Sequence, residues 1–492
     1  MEAQSLRPLL PELDRFVGRF DDCFVDRRSR EHLPVYVRGQ LSDLDRKSVE
    51  PIALKAGLAP RTLQEFLSLL SWDEAKMRDR LQHIVAAEHA GPNSIGLIDE
   101  TSFVKKGTKT PGVQRQWCGH IGKVENCVVT VHLGYARDSF QCLLDGELFL
   151  PENWDEDRPR CRDAGIPEDV VYRPKWQIAL GQYDRAIANG VRFDWLTFDE
   201  GYGDKPEFLA GLSARGQKWV AEVPKDTCGW LNEPRVTTRP RRRGGRGRRP
   251  TKPRVVKGST PARRLDLLLT RHPQLRDQPW TLYRFDEREQ GPSVWEAKHV
   301  TFWPTAREGV VGEPLHALVA RHVLREGELK FFLSNAPAED SAQTLLWVGL
   351  TRHRVERCFQ DQKSELGLDH YEGRTYRGLI RHLMLTCVSY LFLMRATERR
   401  RGEKPGMDGT TSASGGCSPD HHALVQRTGS PIAPETTGRR DRVPPAPQRA
   451  GPQMPRQTHE KTSTCQRHPA ETRNAMYSPG PAPTKPLLQQ GL

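Results

Sequence analysis

Paired cysteine spacing is missing from this sequence. Its ten cysteines are scattered singly and no Cys-x-x-Cys occurs, which argues against a zinc ribbon or a disulfide scaffold and favours reduced thiols. A long apolar run is missing too: Leu383–Met394 is the longest, about twelve residues, short of the roughly 20 needed to cross a bilayer. The start, MEAQSLRPLLPELD, has no basic stretch followed by an apolar one, so no signal peptide is expected. These absences predict a cytoplasmic protein with no membrane partner. Acid is absent from one internal stretch: Arg235–Lys257 holds eleven Lys or Arg and no Asp or Glu.

What is abundant is positive charge. Lys and Arg total 75 against 62 Asp and Glu, a net +13 over 492 residues. That excess points to a polyanion, nucleic acid before membrane. The run 235–257 cannot pack a core. Its Arg241, Arg242, Arg243, Arg246, Arg248 and Arg249 would neutralise DNA phosphates with strong salt dependence and little sequence preference, the competing reading being a solubilising linker. Between Glu403 and Leu492 only eleven of ninety residues are Ile, Val, Leu, Phe, Met, Trp or Tyr. So little apolar surface cannot offset chain entropy, and disorder is expected there.

Residues 8–90 read as helices, with Leu13, Phe16, Val17, Phe20 and Phe24 at helical spacing. Ser71 with Glu74 spells a capping box ahead of a helix over 75–87. Within Ser48–Leu69, Ala53, Gly57 and Leu63 match the small, Gly, apolar spacing of a helix-turn-helix. Arg61, Thr62 and Gln64 would then begin a recognition helix facing base edges. An ordinary helical hairpin fits the same spacing.

From Ser94 the pattern turns to strands: Ile95–Asp99, Gln116–Ile121 and Cys127–Tyr135. A loop over Pro151–Pro174, a helix over Trp176–Asn189, a strand over Phe193–Asp199, a helix over Pro206–Arg215 and a strand over Trp219–Val223 follow. Two of these strands close on an acid, Asp99 and Asp199, which would lie at adjacent strand ends where a mixed sheet opens its crevice. An Asp in such a place is more often a turn former or N-cap, a role that suits Asp204 ahead of 206–215. Alternation would turn Glu100 and Glu200 away from the two aspartates. Further on, Trp280–Phe285, Val294–Trp303, His316–Val323 and Leu329–Leu333 alternate like an antiparallel sheet. Trp295 and Trp303 could stack on an extruded base or pack a core.

The first half of Arg352–Tyr371 reads as a helix, with an apolar edge at Val355 and Phe359 and a stop at Gly367. Arg352, Glu356 and Lys363 share one face of it. A carboxylate between two cations suits a grip on a metal ion and a phosphate; an exposed i,i+4 ion pair, worth about 0.2–0.5 kcal/mol, is the plainer reading. The apolar helix over Leu379–Arg395 should pack on the sheet.

Three strands, helix, strand, helix, strand is the order of an RNase H-like domain. With Asp99, Asp199 and Glu356 in place and a strand-rich insertion before the glutamate, the chain resembles the DDE transposases of bacterial insertion sequences. The resemblance is to the branch with a Tyr-x2-Arg-x3-Glu-x6-Lys signature. Arg352, Glu356 and Lys363 keep the Arg-x3-Glu-x6-Lys spacing, whereas Gly349 stands at the tyrosine position. LIDET (97–101) and FDEGYG (198–203) resemble the two aspartate motifs, and GLDHYEGR (367–374) the extension of one subfamily.

The resemblance covers roughly residues 7–401. It implies an α/β fold with a helical, DNA-binding segment over 1–93 and an RNase H-like catalytic domain over 94–223 and 346–402. A β-rich insertion fills 224–345. Asp99, Asp199 and Glu356 would be catalytic and would hold two Mg2+ ions, Mn2+ being a possible substitute. Arg352, Lys363, Arg61 and the loop arginines would bind DNA phosphates. The reaction implied is cleavage and strand transfer at terminal inverted repeats in double-stranded DNA, by a homodimer associated with the nucleoid, with hairpin-ended intermediates. An ordered helical end is expected of the family where 403–492 stands, which suggests a frameshifted or degenerate terminus. A catalytically decayed copy that occupies the ends without cutting is the alternative, and an unrelated RNase H-like nuclease a third reading.

Overall fold

Helices form where apolar residues recur every three or four positions. α1 (Leu10–Val17) buries Leu13, Phe16 and Val17, and α2 (Arg27–Gln40) starts where the Asp26 carboxylate accepts the Ser29 amide at 2.8 Å. α3 (Val49–Lys55) and α4 (Pro60–Ser68) give the expected helix, turn and helix, with Gly57 at φ 69° in the turn and Ala53 and Leu63 buried. In α5 (Glu74–Glu88) the cap is Asp73 and not Ser71: its carboxylate accepts the Lys76 amide at 2.8 Å. The cause is tertiary. Trp72 bridges to Phe24 as an extended residue, and the Asp73 amide donates to the Cys23 carbonyl at 2.9 Å, so the helix cannot begin earlier.

The computed structural model describes residues 9–237, 253–287, 291–305, 311–325 and 327–403. Arg241, Arg242, Arg243, Arg246, Arg248 and Arg249, and the tail beyond 403, lie outside the described residues. Up to Arg399 the described residues belong to one compact unit.

β1 (Ile95–Val104) does not close on Asp99 as expected but runs on to Val104, paired along its length with β3 (Lys123–Arg137). β3 carries β2 (Gln114–Cys118) and then β4 (Phe140–Leu148) on its other edge. β4 has no counterpart in the sequence reading, although FQCLLDGEL follows a turn at Asp138 (φ 48°). The expected loop over 151–174 contains α6 (Glu152–Asp155) and α7 (Arg158–Asp163), folded around buried Trp154. Next come α8 (Lys175–Ala188), β5 (Trp195–Phe198), α9 (Glu200–Gly203), α10 (Pro206–Ala214) and β6 (Trp219–Glu222). β5 lies parallel to β1, and β6 parallel to β5.

Four short strands, β7 (Cys228–Trp230), β8 (Val236–Thr237), β9 (Arg254–Val255) and β10 (Arg263–Arg264), precede the small helices α11 (Leu265–Arg271) and α12 (Pro273–Arg276). The longer β11 (Thr281–Glu287), β12 (Gly291–Pro304), β13 (Leu315–His322) and β14 (Leu329–Ser334) are antiparallel, as expected. β14 pairs with β6, so these strands continue the central sheet instead of forming a separate one. The pairing covers what would otherwise be an open edge of β6.

α13 (Ala342–Thr351) runs into α14 (His353–Leu366), which ends at Gly367 with φ 72°. α15 (Tyr376–Glu403) follows. α15 is long and apolar enough to cross a membrane, which corrects the expectation drawn from the twelve-residue run, yet 78% of its apolar window is buried. Its buried polar groups face protein. Tyr36 Oη meets His382 Nδ1 at 2.9 Å, Gln40 bonds both Thr386 and Ser389 at 2.8 Å, and Arg381 donates to the carbonyls of Leu70 (2.8 Å) and Trp72 (2.6 Å). The sheet was its expected partner; most of these bonds go to the N-terminal helices, while Tyr390 meets Gln141 of β4 at 3.3 Å.

Candidate active site

Three parallel strands bring three acids into a row. Register places Ile98 of β1 beside Phe198 of β5, and Phe198 beside Ala221 of β6. The residues that follow these are Asp99, Asp199 (just past the end of β5) and Glu222. The row stands at the carboxyl ends of β5 and β6, where an α/β sheet opens its crevice.

Each acid is positioned by its local sequence. Asp99 Oδ1 accepts the Glu100 amide at 2.7 Å, leaving Oδ2 to face α14. Asp199 caps α9, accepting the Tyr202 amide at 3.4 Å. The helix can tuck in so tightly because its last residue is glycine: a Cβ on Gly203 would lie 2.0 Å from the Glu222 carbonyl oxygen. Asp204 was expected to cap α10; it instead closes α9, and Lys205 takes the N-cap position of α10.

Glu100 turns to the opposite face of the sheet and meets Lys175 Nζ of α8 at 2.5 Å, as alternation requires. Glu200 differs from expectation. It opens a helix, not a strand, so alternation does not govern it. Burial, then Glu222 and Asp199, raise its pKa.

α14 brings the positive charge. Arg352, at the junction of α13 and α14, reaches three carboxylates with one guanidinium. Nη1 lies 3.3 Å from Asp99 Oδ2, Nε 3.4 Å from Glu222 Oε2 and Nη2 2.8 Å from Glu356 Oε1. The last of these is also the plain i,i+4 pair, and the Glu356 side chain is 58% exposed. Lys330 of β14 donates to Glu222 Oε1 at 2.6 Å. Lys363 is placed further along β1, donating to the Ser102 carbonyl at 3.3 Å near the Phe103 ring; burial lowers its pKa against the pull of Asp369.

Asp99 is held far from its ordinary state. Burial first, and then the Asp199 carboxylate, push its pKa up to about 8, against the Arg352 cation. Asp199 is raised as well, chiefly by burial. A buried and a half-buried acid that resist joint ionisation invite a cation with hard oxygen preference, such as Mg2+ or Mn2+. By donor chemistry, Asp99, Asp199 and Glu356 fit such an ion, while both oxygens of Glu222 already face cations. Among the described residues no three His, Cys, Asp or Glu side chains are gathered tightly enough to hold one as they stand. The guanidinium of Arg352 bridges the carboxylates instead.

Arg61 lies in a different place, on the first turn of α4, exposed and bonded to Glu65 at 2.7 Å. Trp295 takes the packed role, buried with its Nε1 on Ser293 Oγ at 2.8 Å. The sequence reading missed Glu222 and its partner Lys330. A signal existed, since WVAE is an apolar strand closing on an acid like the strands at Asp99 and Asp199.

A sequence model described as DDE superfamily endonuclease matches residues 19–291, more than half of the chain. The match contains Asp99, Asp199 and Glu222 and stops before Glu356. A protein of Microchaete diplosiphon, named as a probable transposase for insertion sequence element IS701, is 30% identical over 227 residues, 45% of this chain and 56% of that protein. The chain thus spans little more than half the length of that relative. On the family match, this chain belongs to the DDE superfamily endonucleases.

Proposed function

We propose that this chain is an insertion-sequence transposase that cuts DNA at the element's ends and transfers the freed strands to target DNA. The observation that carries the reading is that Asp99 and Asp199 directly follow the paired residues Ile98 and Phe198 of adjacent parallel strands, with Arg352 bonded to both Asp99 and Glu356. Asp99, Asp199 and Glu356 would hold two divalent ions, Mg2+ or in its place Mn2+. Such ions supply positive charge to the attacking and leaving oxygens of an in-line phosphoryl displacement.

The chain's own residues bind and orient the DNA. Arg352 presents a planar set of donors to a phosphate oxygen, and Lys363 adds a point charge further along the strand. The basic run 235–257 and Arg61 extend the contact to flanking duplex, at a salt-sensitive affinity. A cytoplasmic, nucleoid-associated homodimer joining two terminal repeats fits this chemistry, with no membrane partner. The second reading is an end-binding protein that no longer cuts.

Supercoiled plasmid carrying the element's terminal repeats, incubated with protein and Mg2+, tests the proposal. Cleavage at the ends that is lost in Asp99→Ala supports it. Binding without cleavage favours the decayed copy, and cleavage indifferent to the repeats an unrelated nuclease.

A further inference from the structure

We infer that Glu222 is a positioning residue of this site: it fixes the Arg352 guanidinium above Asp99 so that the cation meets a phosphodiester oxygen of the DNA. The inference rests on the transposase reading. Glu222 ends β6 as the third acid of the row, and its side chain is 12% exposed beside an Arg352 side chain that is 17% exposed.

Each oxygen of Glu222 has its own cation. Oε1 takes the Lys330 ammonium at 2.6 Å, and Oε2 faces Arg352 Nε at 3.4 Å. Lys330 stands on β14, the insertion strand that pairs with β6 through Phe332 and Glu222. The insertion therefore supplies the charge that orients Glu222, and Glu222 in turn restrains the inner edge of the guanidinium. With Nε held there, Nη1 points to Asp99 and Nη2 to Glu356.

The contacts to Asp99 and Glu222 are longer than the roughly 2.7–2.9 Å of a committed charge-assisted bond. Arg352 is aimed but not saturated, and N–H donors remain for an anion. An arginine freed at Nε would lose that aim, because a long side chain keeps a fixed fork only where both edges are restrained. With both oxygens engaged by cations, Glu222 acts through Arg352 and not as an ion ligand.

The test is a double-mutant cycle between Glu222→Gln and Arg352→Ala. It is read as affinity for terminal-repeat DNA with a cut end, measured without divalent metal, and as cleavage rate with Mg2+. Glu222→Gln should weaken cut-end binding about 5–10-fold and slow cleavage about 10–100-fold, yet add nothing in the Arg352→Ala background. Mg2+ binding to the protein alone, by calorimetry, should stay within about twofold of wild type, because Glu222 is not a ligand. Lys330→Met should act in the same direction more weakly, and Glu222→Asp should recover part of the loss. These two also read the proposal if Glu222→Gln fails to fold. Equal losses in both Arg352 backgrounds, a Mg2+ affinity lowered about tenfold or more, or wild-type behaviour of Glu222→Gln would each overturn the inference. Cleavage that survives Asp99→Ala would instead overturn the transposase reading beneath it.

Discussion

Arg352 Nη1 donates to Asp99 Oδ2 at 3.3 Å across 253 residues of sequence. The bond joins the residue that caps α14 to the middle of β1, where burial and then Asp199 push the pKa of the Asp99 carboxyl up to about 8. A cation here offsets the crowded acids.

The raised pKa of Asp99 has a consequence for stability. A carboxyl whose folded pKa lies above its ordinary value contributes stability that is fully present below that ordinary value and is lost as pH rises through about 8. Without divalent metal, wild type should therefore melt at a lower temperature near about pH 9 than near about pH 6. Asp99→Asn should flatten that dependence, raise the alkaline melting temperature by about 4 °C or more and abolish cleavage. Melting curves across pH check this, and a flat wild-type profile would contradict it.

Arg352→Lys keeps the charge and loses the fork. One ammonium cannot reach Asp99, Glu222 and Glu356 in the geometry of a planar guanidinium. End cleavage should fall about 10–100-fold. Added lysine at the position should not behave as a conservative change in single-turnover assays, and near-wild-type rates would show that charge alone suffices.

Gly349 stands at the tyrosine position of the Tyr-x2-Arg-x3-Glu-x6-Lys signature that the sequence resembles, and placing a tyrosine there should harm this protein. A Cβ there would lie 2.8 Å from Phe332 Cε1 and 3.2 Å from Val220 Cγ1, because α13 packs directly on β14 and β6. Gly349→Ala should destabilise by about 1–3 kcal/mol, as overpacking does, and Gly349→Tyr by more. Urea unfolding midpoints read the effect; an unchanged midpoint would mean that α13 shifts freely.

Arg381 is 2% exposed and holds the carbonyls of Leu70 and Trp72 together with Glu74. Arg381→Met leaves those carbonyls and that carboxylate without their donor, at a cost of about 3–5 kcal/mol. Hydrogen exchange should rise first in α4 and α5. Loss of protection spread evenly over the sheet would argue that α15 does not tie the N-terminal helices down.

Local patterns were readable and pairings were not. The span of α14 and its stop at Gly367 follow from apolar spacing and one glycine, and both aspartates are visible as acids behind apolar strands. Glu222 carried the same signature and was passed over, because nothing nearby in the chain says that β6 lies beside β5. The Ser71 box failed for a similar reason: a bridge between Trp72 and Phe24 outweighs a four-residue motif.

The sequence by itself determined the alternation of helices and strands, the basic excess, and the spacing that puts Arg352 and Glu356 on one helical turn. Only the tertiary structure decided that Asp99, Asp199 and Glu222 stand in one row, that β14 extends the same sheet, and that Arg352 answers three carboxylates at once. Periodicity is written within a few residues, by the pitch of a helix or the pleat of a strand. Register and buried charge pairing arise between segments far apart in the chain, and only packing brings those together.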